Sequence, residues 1–248
     1  GVIVAAASKS SDGDVASSGG KTDAWILKLE EKEWQANLPK PRGQQHTLRP
    51  VAKLRSPSPP LRSPGLLWSK YLGGAGSQSA LDSPQSLVSD GADGFTFIAN
   101  SDGAAWIANV DSSGGIRWQS HFRGPGQGPT VGAAIARKTD DSGYVILASQ
   151  GDDLLVVSIN RRGKIIWQNK FGGSKPEQPS TILAASDGGY LIGGSSYSSD
   201  GDVQDHVCGY NYWVVKLDRQ GKKLWSRSVG GLSNDYLIQE KKKKNGDF

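Results

Sequence analysis

A tryptophan followed closely by glycine recurs along this chain, and the interval between copies constrains the fold more than any other feature. The copies read LLWSKYLGG around Trp68, GIRWQSHFRG around Trp118, KIIWQNKFGG around Trp167 and KLWSRSVGG around Trp225, with spacings of 50, 49 and 58 residues. A second landmark keeps the same phase: a glycine-rich turn, an aromatic residue and an apolar run, as in DGFTFIANS (93–101), SGYVILASQ (142–150) and GGYLIGGSS (188–196). Self-similarity at such a period is the mark of one supersecondary unit repeated along the chain, each copy completing its neighbour's core.

The hexapeptide SSDGDV belongs to the same repeat. A shift of 188 positions lays Gly1–Leu29 on Gly189–Leu217 without a gap, carrying SSDGDV at Ser10–Val15 onto SSDGDV at Ser198–Val203 and Trp25 onto Trp213. The best-preserved unit divides into four strands, STILAAS, GYLIGGSS, YWVVKLD and KKLWSRSV, each bounded by Gly, Asp, Asn or Ser turn clusters. Between the third and fourth strands stand DSSG (111–114), NRRG (160–163) and DRQG (218–221), with Asp or Asn opening a type I turn and Gly closing it. The first unit has EEKE (30–33) there instead.

Four antiparallel strands in every 40 to 50 residues or so is the pattern of a β-propeller blade. The expected fold is therefore all-β, a propeller of four-stranded antiparallel blades forming a single repeat domain over residues 1–248. About five periods of roughly 49 residues fit between Val2 and Phe248, as a closing ring or as an excerpt of a larger one. Closure would pair DYLIQ (235–239) with the first blade. Trp68, Trp118, Trp167 and Trp225, with Trp25 and Trp213 on third strands, are read as blade-packing residues.

The pattern fails at residues 36–65, which hold seven of the twelve prolines and neither an aromatic strand opener nor a WVVKL-like strand. The expectation is an irregular Pro/Arg-rich insert and one degenerate blade. The same segment carries Lys40, Arg42, Arg49, Lys53, Arg55 and Arg62 with no acidic residue, a local +6 that leaves −1 of the chain's +5 for everything else. A basic balance confined to one segment is not a nucleic-acid-binding face. The KKKK run at 241–244 falls where other copies have a turn and reads as solvated.

The search for chemistry is brief. One cysteine, Cys208, excludes an internal disulfide framework, and no apolar run approaches a membrane span. The absence of methionine and the start at Gly1 suggest a mature product or a fragment of a longer chain. His46, His121 and His206 are not at metal-ligand spacing with one another, and His206 with Cys208 is only half of a zinc site. Neither a GxSxG elbow nor a Gly-Lys-Ser/Thr phosphate loop is present. Calcium is the one metal with a case: Asp12 and Asp14, or Asp200 and Asp202, offer hard oxygens in SSDGDV without the distal glutamate of an EF-hand. The other reading of those loops is a β-turn with exposed aspartates.

Units such as DGGYLIGGSSYSSDGDV followed by NYWVVKLDRQGKKLWSRSVGG resemble the tandem repeats of secreted bacterial surface proteins, over residues 1–34 and 66–248. That resemblance implies propeller blades, export and an extracellular or cell-envelope location, and brings no catalytic positions. KLDRQGKKLW also resembles, more distantly, the tryptophan-docking motif of quinoprotein-type propellers, without the Thr-Gly before its lysine and without a vicinal cysteine pair. The expectation is a non-enzymatic scaffold or recognition module for a protein or glycan ligand, monomeric or part of a longer multidomain chain, without a cofactor. The alternative is an extracellular propeller enzyme acting on carbohydrate as a glycoside hydrolase or lyase.

Overall fold

The computed structural model describes residues 2–8, 23–29, 66–72, 78–80, 85–91, 94–206, 208–231 and 234–235. All of its regular structure is β, in four antiparallel sheets taken in chain order. Among the described residues no helix is long and apolar enough to cross a membrane. The first sheet joins β1 (Val2–Ser8), β2 (Asp23–Leu29) and β3 (Leu66–Leu72). The second has β4 (Gln78–Ala80) and β5 (Leu87–Ser89) sharing the innermost place against β6 (Phe95–Ser101), then β7 (Ala104–Val110) and β8 (Ile116–Phe122). The third runs through β9 (Thr130–Arg137), β10 (Gly143–Gln150), β11 (Asp153–Asn160) and β12 (Ile165–Phe171). The fourth runs through β13 (Glu177–Ala184), β14 (Tyr190–Ser196), β15 (Asn211–Leu217) and β16 (Lys223–Val229).

The repeat extends to hydrogen-bond register. Val2 faces Leu29 as Tyr190 faces Leu217, 188 positions on, so β1 pairs with β2 as β14 pairs with β15. The third-to-fourth turns form as their chemistry requires. Asp111, Asn160 and Asp218 each accept a hydrogen bond from the N–H four residues on, at 2.9, 3.0 and 2.8 Å, and Gly114, Gly163 and Gly221 close the turns with φ of 79°, 76° and 82°.

The spacing counts about five units, and the described residues hold four sheets. β2 pairs directly with β3, Lys28 opposite Trp68, so Trp68 stands on the same sheet as Trp25. The insert at 36–65, the strand DYLIQ and the KKKK run lie outside the described residues, apart from Asp235.

Burial explains why the central strands read as continuous apolar runs. In the third sheet Val145, Leu147, Leu154 and Val156 face the fourth sheet, packing with Ile182, Ile192, Trp213 and Val215. Their chain neighbours Ile146, Leu155, Val157 and Ile159 face the second sheet, against Ile98, Ala105 and Ile107. Side chains alternate across a strand, so a sheet packed on both faces needs an apolar residue at every position. Each such residue removed from water contributes about 2 kcal/mol.

The innermost strands converge. The register skips Ala133 in β9 and Ser180 in β13, bulges at matching positions. Gln85, in the break between β4 and β5, reaches both strands. Its backbone carbonyl accepts from Ile135 N at 2.9 Å, and its side-chain oxygen accepts from Thr181 Oγ1 at 2.8 Å and Ile182 N at 3.0 Å.

Candidate binding site between the second and third sheets

The site starts from a bulge. In all four sheets the last two strands lose register directly before the tryptophan, which leaves Leu67, Arg117, Ile166 and Leu224 as the extra residues. A bulge twists the strand and redirects its side chains. Trp118 lies beside Tyr144 of the third sheet, ring centres 6.4 Å apart, and over the turn glycine Gly163, where an added Cβ would come within 2.7 Å of the indole. Trp167 repeats this on the fourth sheet with Tyr190 at 5.8 Å and Gly221, where a Cβ would meet the indole at 2.6 Å. Only glycine combines a left-handed φ with that close approach. Burial beneath this dock pushes the Tyr190 phenol up to about 12.

Beside the Trp118 dock lies a solvent-open pocket of about 250 Å³. Trp118 and Tyr144 form its apolar wall. Arg117, Arg137 and Arg161 bring three guanidiniums from three different segments, and Asp90 and Asp141 bring two carboxylates, a net +1. Asn109 completes the lining, its amide donating to Thr96 Oγ1 at 2.9 Å and to the Phe95 carbonyl at 3.1 Å. The carboxylates are held by the arginines: Arg117 meets Asp90 at 2.6 Å and Arg137 meets Asp141 at 2.7 Å, with Arg161 at 3.9 Å on the far oxygen. Arg161 Nε also donates to the Asp141 backbone carbonyl. A guanidinium carries five N–H donors, and these pairs engage one or two of each.

A second polar cluster sits at the opposite end of the strands. Glu177 is 4% exposed, and its carboxylate accepts from Ser198 Oγ at 2.6 Å, Ser196 Oγ at 2.8 Å and Gly173 N at 3.3 Å. Burial nevertheless prevails over these bonds and pushes its pKa above the ordinary carboxylate value. Glu177 and Asp153 both crowd the place a Gly172 side chain would occupy, and Lys170 pairs with Asp153 at 2.6 Å.

The described copy of SSDGDV closes over this cluster. Asp200 accepts from Ser174 N at 2.7 Å, while Asp202 pairs with Lys223 and accepts from Gly172 N at 3.3 Å. The loop is thus tied to the glycine pair following the third sheet's tryptophan. Among the described residues no three His, Cys, Asp or Glu side chains are grouped to hold a metal ion. Asp12 and Asp14 lie outside them.

The other singled-out residues separate. Trp213 is fully buried in the core between the third and fourth sheets. Trp225 holds the place of Trp118 and Trp167 on the fourth sheet and is 45% exposed. Trp25 and Trp68 are placed by register on β2 and β3. His121 stacks on Trp106, ring centres 5.9 Å apart. Cys208 is exposed and unbridged. The pocket arginines carry no motif; the one signal that could have found them is the variability of their positions between repeats that otherwise match.

No family model matches the chain, and no curated protein does. A crystal structure of a protein of unknown function from Bacteroides caccae is similar to 73% of this chain at 13% identity, with a TM-score of 0.45. The chain spans 55% of that protein's length.

Proposed function

We propose that the chain is a run of β-propeller blades acting as a non-enzymatic recognition or scaffold module of a secreted or cell-envelope protein, taking a protein or glycan ligand. Gln85 supports the propeller. Sheets stacked in a row lie about 10 Å apart, so the second and fourth would stand about 20 Å from each other. A residue of the second that bonds the innermost strands of both the third and the fourth fits blades set around an axis. The tryptophan laid on the next sheet's turn glycine, seen at two junctions, fits the resemblance to tryptophan-docked propellers.

The state of the carboxylates carries recognition over catalysis. In the open pocket Asp90 and Asp141 are each bound by arginine, and Glu177 and Asp153, which crowd one place beside Gly172, are shut in by serines and Lys170. A glycosidase needs two carboxyl groups facing one cleft across a sugar bond. Incubating the intact protein with a glycan array, and assaying the same sugars for cleavage products, tests this reading. Binding without turnover is expected, and cleavage of any array sugar overturns it.

A further inference from the structure

The two junctions that the structure describes in full supply an internal control for the pocket. Equivalent positions follow from pairing: Arg137 faces Tyr144 as Ala184 faces Tyr190, and Arg117 precedes Trp118 at the bulge as Ile166 precedes Trp167. The first-to-second turns give two more, since Asp90 and Lys138 make the same backbone bond to a glycine carbonyl, and so do Asp141 and Gly188 to the residue three before. Four charged groups of the pocket thus become Ile166, Ala184, Lys138 and Gly188 at the next junction, where Trp167, Tyr190 and Gly221 dock in the same way. Docking does not require this set of charges, since the next junction has Lys138, Asp140 and Arg219 near Tyr190 instead. Something else has to account for two arginines and two aspartates at one junction.

We infer that this pocket binds a carboxylated saccharide unit of uronic-acid chemistry; the inference rests on the recognition reading above and names its ligand class. The guanidiniums match a carboxylate as planar forks, and the net +1 favours a monoanion. Donors from Arg161 and acceptors on Asp141 stand close together, the mixed lining that hydroxyl groups use, since each hydroxyl both donates and accepts. Trp118, backed by the buried Tyr144, supplies an aromatic surface that the C–H face of a sugar ring can cover. The volume, about 250 Å³, is below the range of about 300 to 1,000 Å³ that holds drug-sized molecules, and suits one ring.

Isothermal titration of the intact protein with glucuronate, galacturonate, glucose, inorganic phosphate and a glutamate-rich peptide tests the assignment. A uronate is expected to bind at least about tenfold more tightly than glucose, phosphate or the peptide. Arg117→Ile with Arg137→Ala, which writes the next junction's residues into this one, is expected to weaken the uronate at least about tenfold with an unchanged circular dichroism spectrum and a cooperative melt. Phosphate as tight as uronate would make the site a bare oxyanion site, peptide as tight would make it a protein site, and equal binding of glucose would remove the role of charge; each result overturns the assignment. So does failure of both uronates to bind, or uronate binding that survives the double substitution. Array binding that persists in the double variant removes this site while leaving the recognition reading intact, whereas sugar cleavage removes that reading whatever the arginines do.

Discussion

The junction between the second and third sheets and the junction between the third and fourth are two solutions of one packing problem. At the dock they agree: indole, tyrosine and left-handed glycine meet in the same arrangement at both. Away from it they diverge. One surrounds its tryptophan with arginine–aspartate pairs and the other with Ile166 and Ala184. At the far end the first residue of the innermost strand caps a glycine N–H in both, through the hydroxyl of Thr130 to Gly124 and the carboxylate of Glu177 to Gly173. The dock is therefore the scaffold, and the positions around it are free to take on chemistry.

If the docks are equivalent, removing either indole should cost the same. Trp118→Ala and Trp167→Ala are each expected to destabilise by about 3 kcal/mol in urea unfolding, because a large half-buried ring is replaced by a void. Costs that differ by more than about 1.5 kcal/mol would break the equivalence.

Gly163→Ala and Gly221→Ala come next, at about 2 kcal/mol each, from a left-handed backbone that an L side chain resists and a methyl driven into the indole. The sharper form of this test is Gly151→Ala, where φ is 61° but nothing lies within 4 Å of an added Cβ. It should show the backbone cost alone, about 1 kcal/mol.

Glu177 distinguishes the far ends of the two junctions. Its value in the fold is raised above 4.5 by burial, so the stability it contributes is fully present below about that pH and is lost as pH rises through the folded value. Glu177→Gln keeps the size and removes the charge. The variant should gain on the native protein between acid and neutral pH in paired unfolding titrations, and a stability difference that stays flat with pH would show that the carboxylate is not desolvated.

The smallest expected effect is on the pocket pairs. Arg117→Ile and Arg137→Ala should each change stability by about 1 kcal/mol or less, since partly exposed ion pairs contribute little. A loss as large as that of an indole would make the arginines part of the dock and erase the difference between the junctions.

Much of the architecture could be read from local signals. STILAAS, GYLIGGSS, YWVVKLD and KKLWSRSV coincide with β13 to β16, and the Asp/Asn-to-Gly turns form where their residues stand. The SSDGDV loop at 198–203 joins the second and third strands as its place in the repeat requires. The pairing of β2 with β3 across residues 30–65 was not legible, because repeat spacing does not say which strand is met across so long a connection. The pocket was invisible for a related reason. Asp90, Arg117, Arg137 and Arg161 come from four separate turns or strands, and although Arg117 adjoins a repeat tryptophan and Arg161 stands in NRRG, neither landmark shows that the four meet.

Alternation, turn residues and the 188-residue shift determined the strands, their order within a sheet and their register, because those depend on interactions between residues close in the chain or held in step by a short turn. Tertiary structure alone decided which face of each strand met which neighbour, where Gln85 would tie three innermost strands together, and which arginines would share a pocket. These outcomes depend on how one sheet lies against the next, and that is set by the summed packing of both faces together with the bulge before each tryptophan.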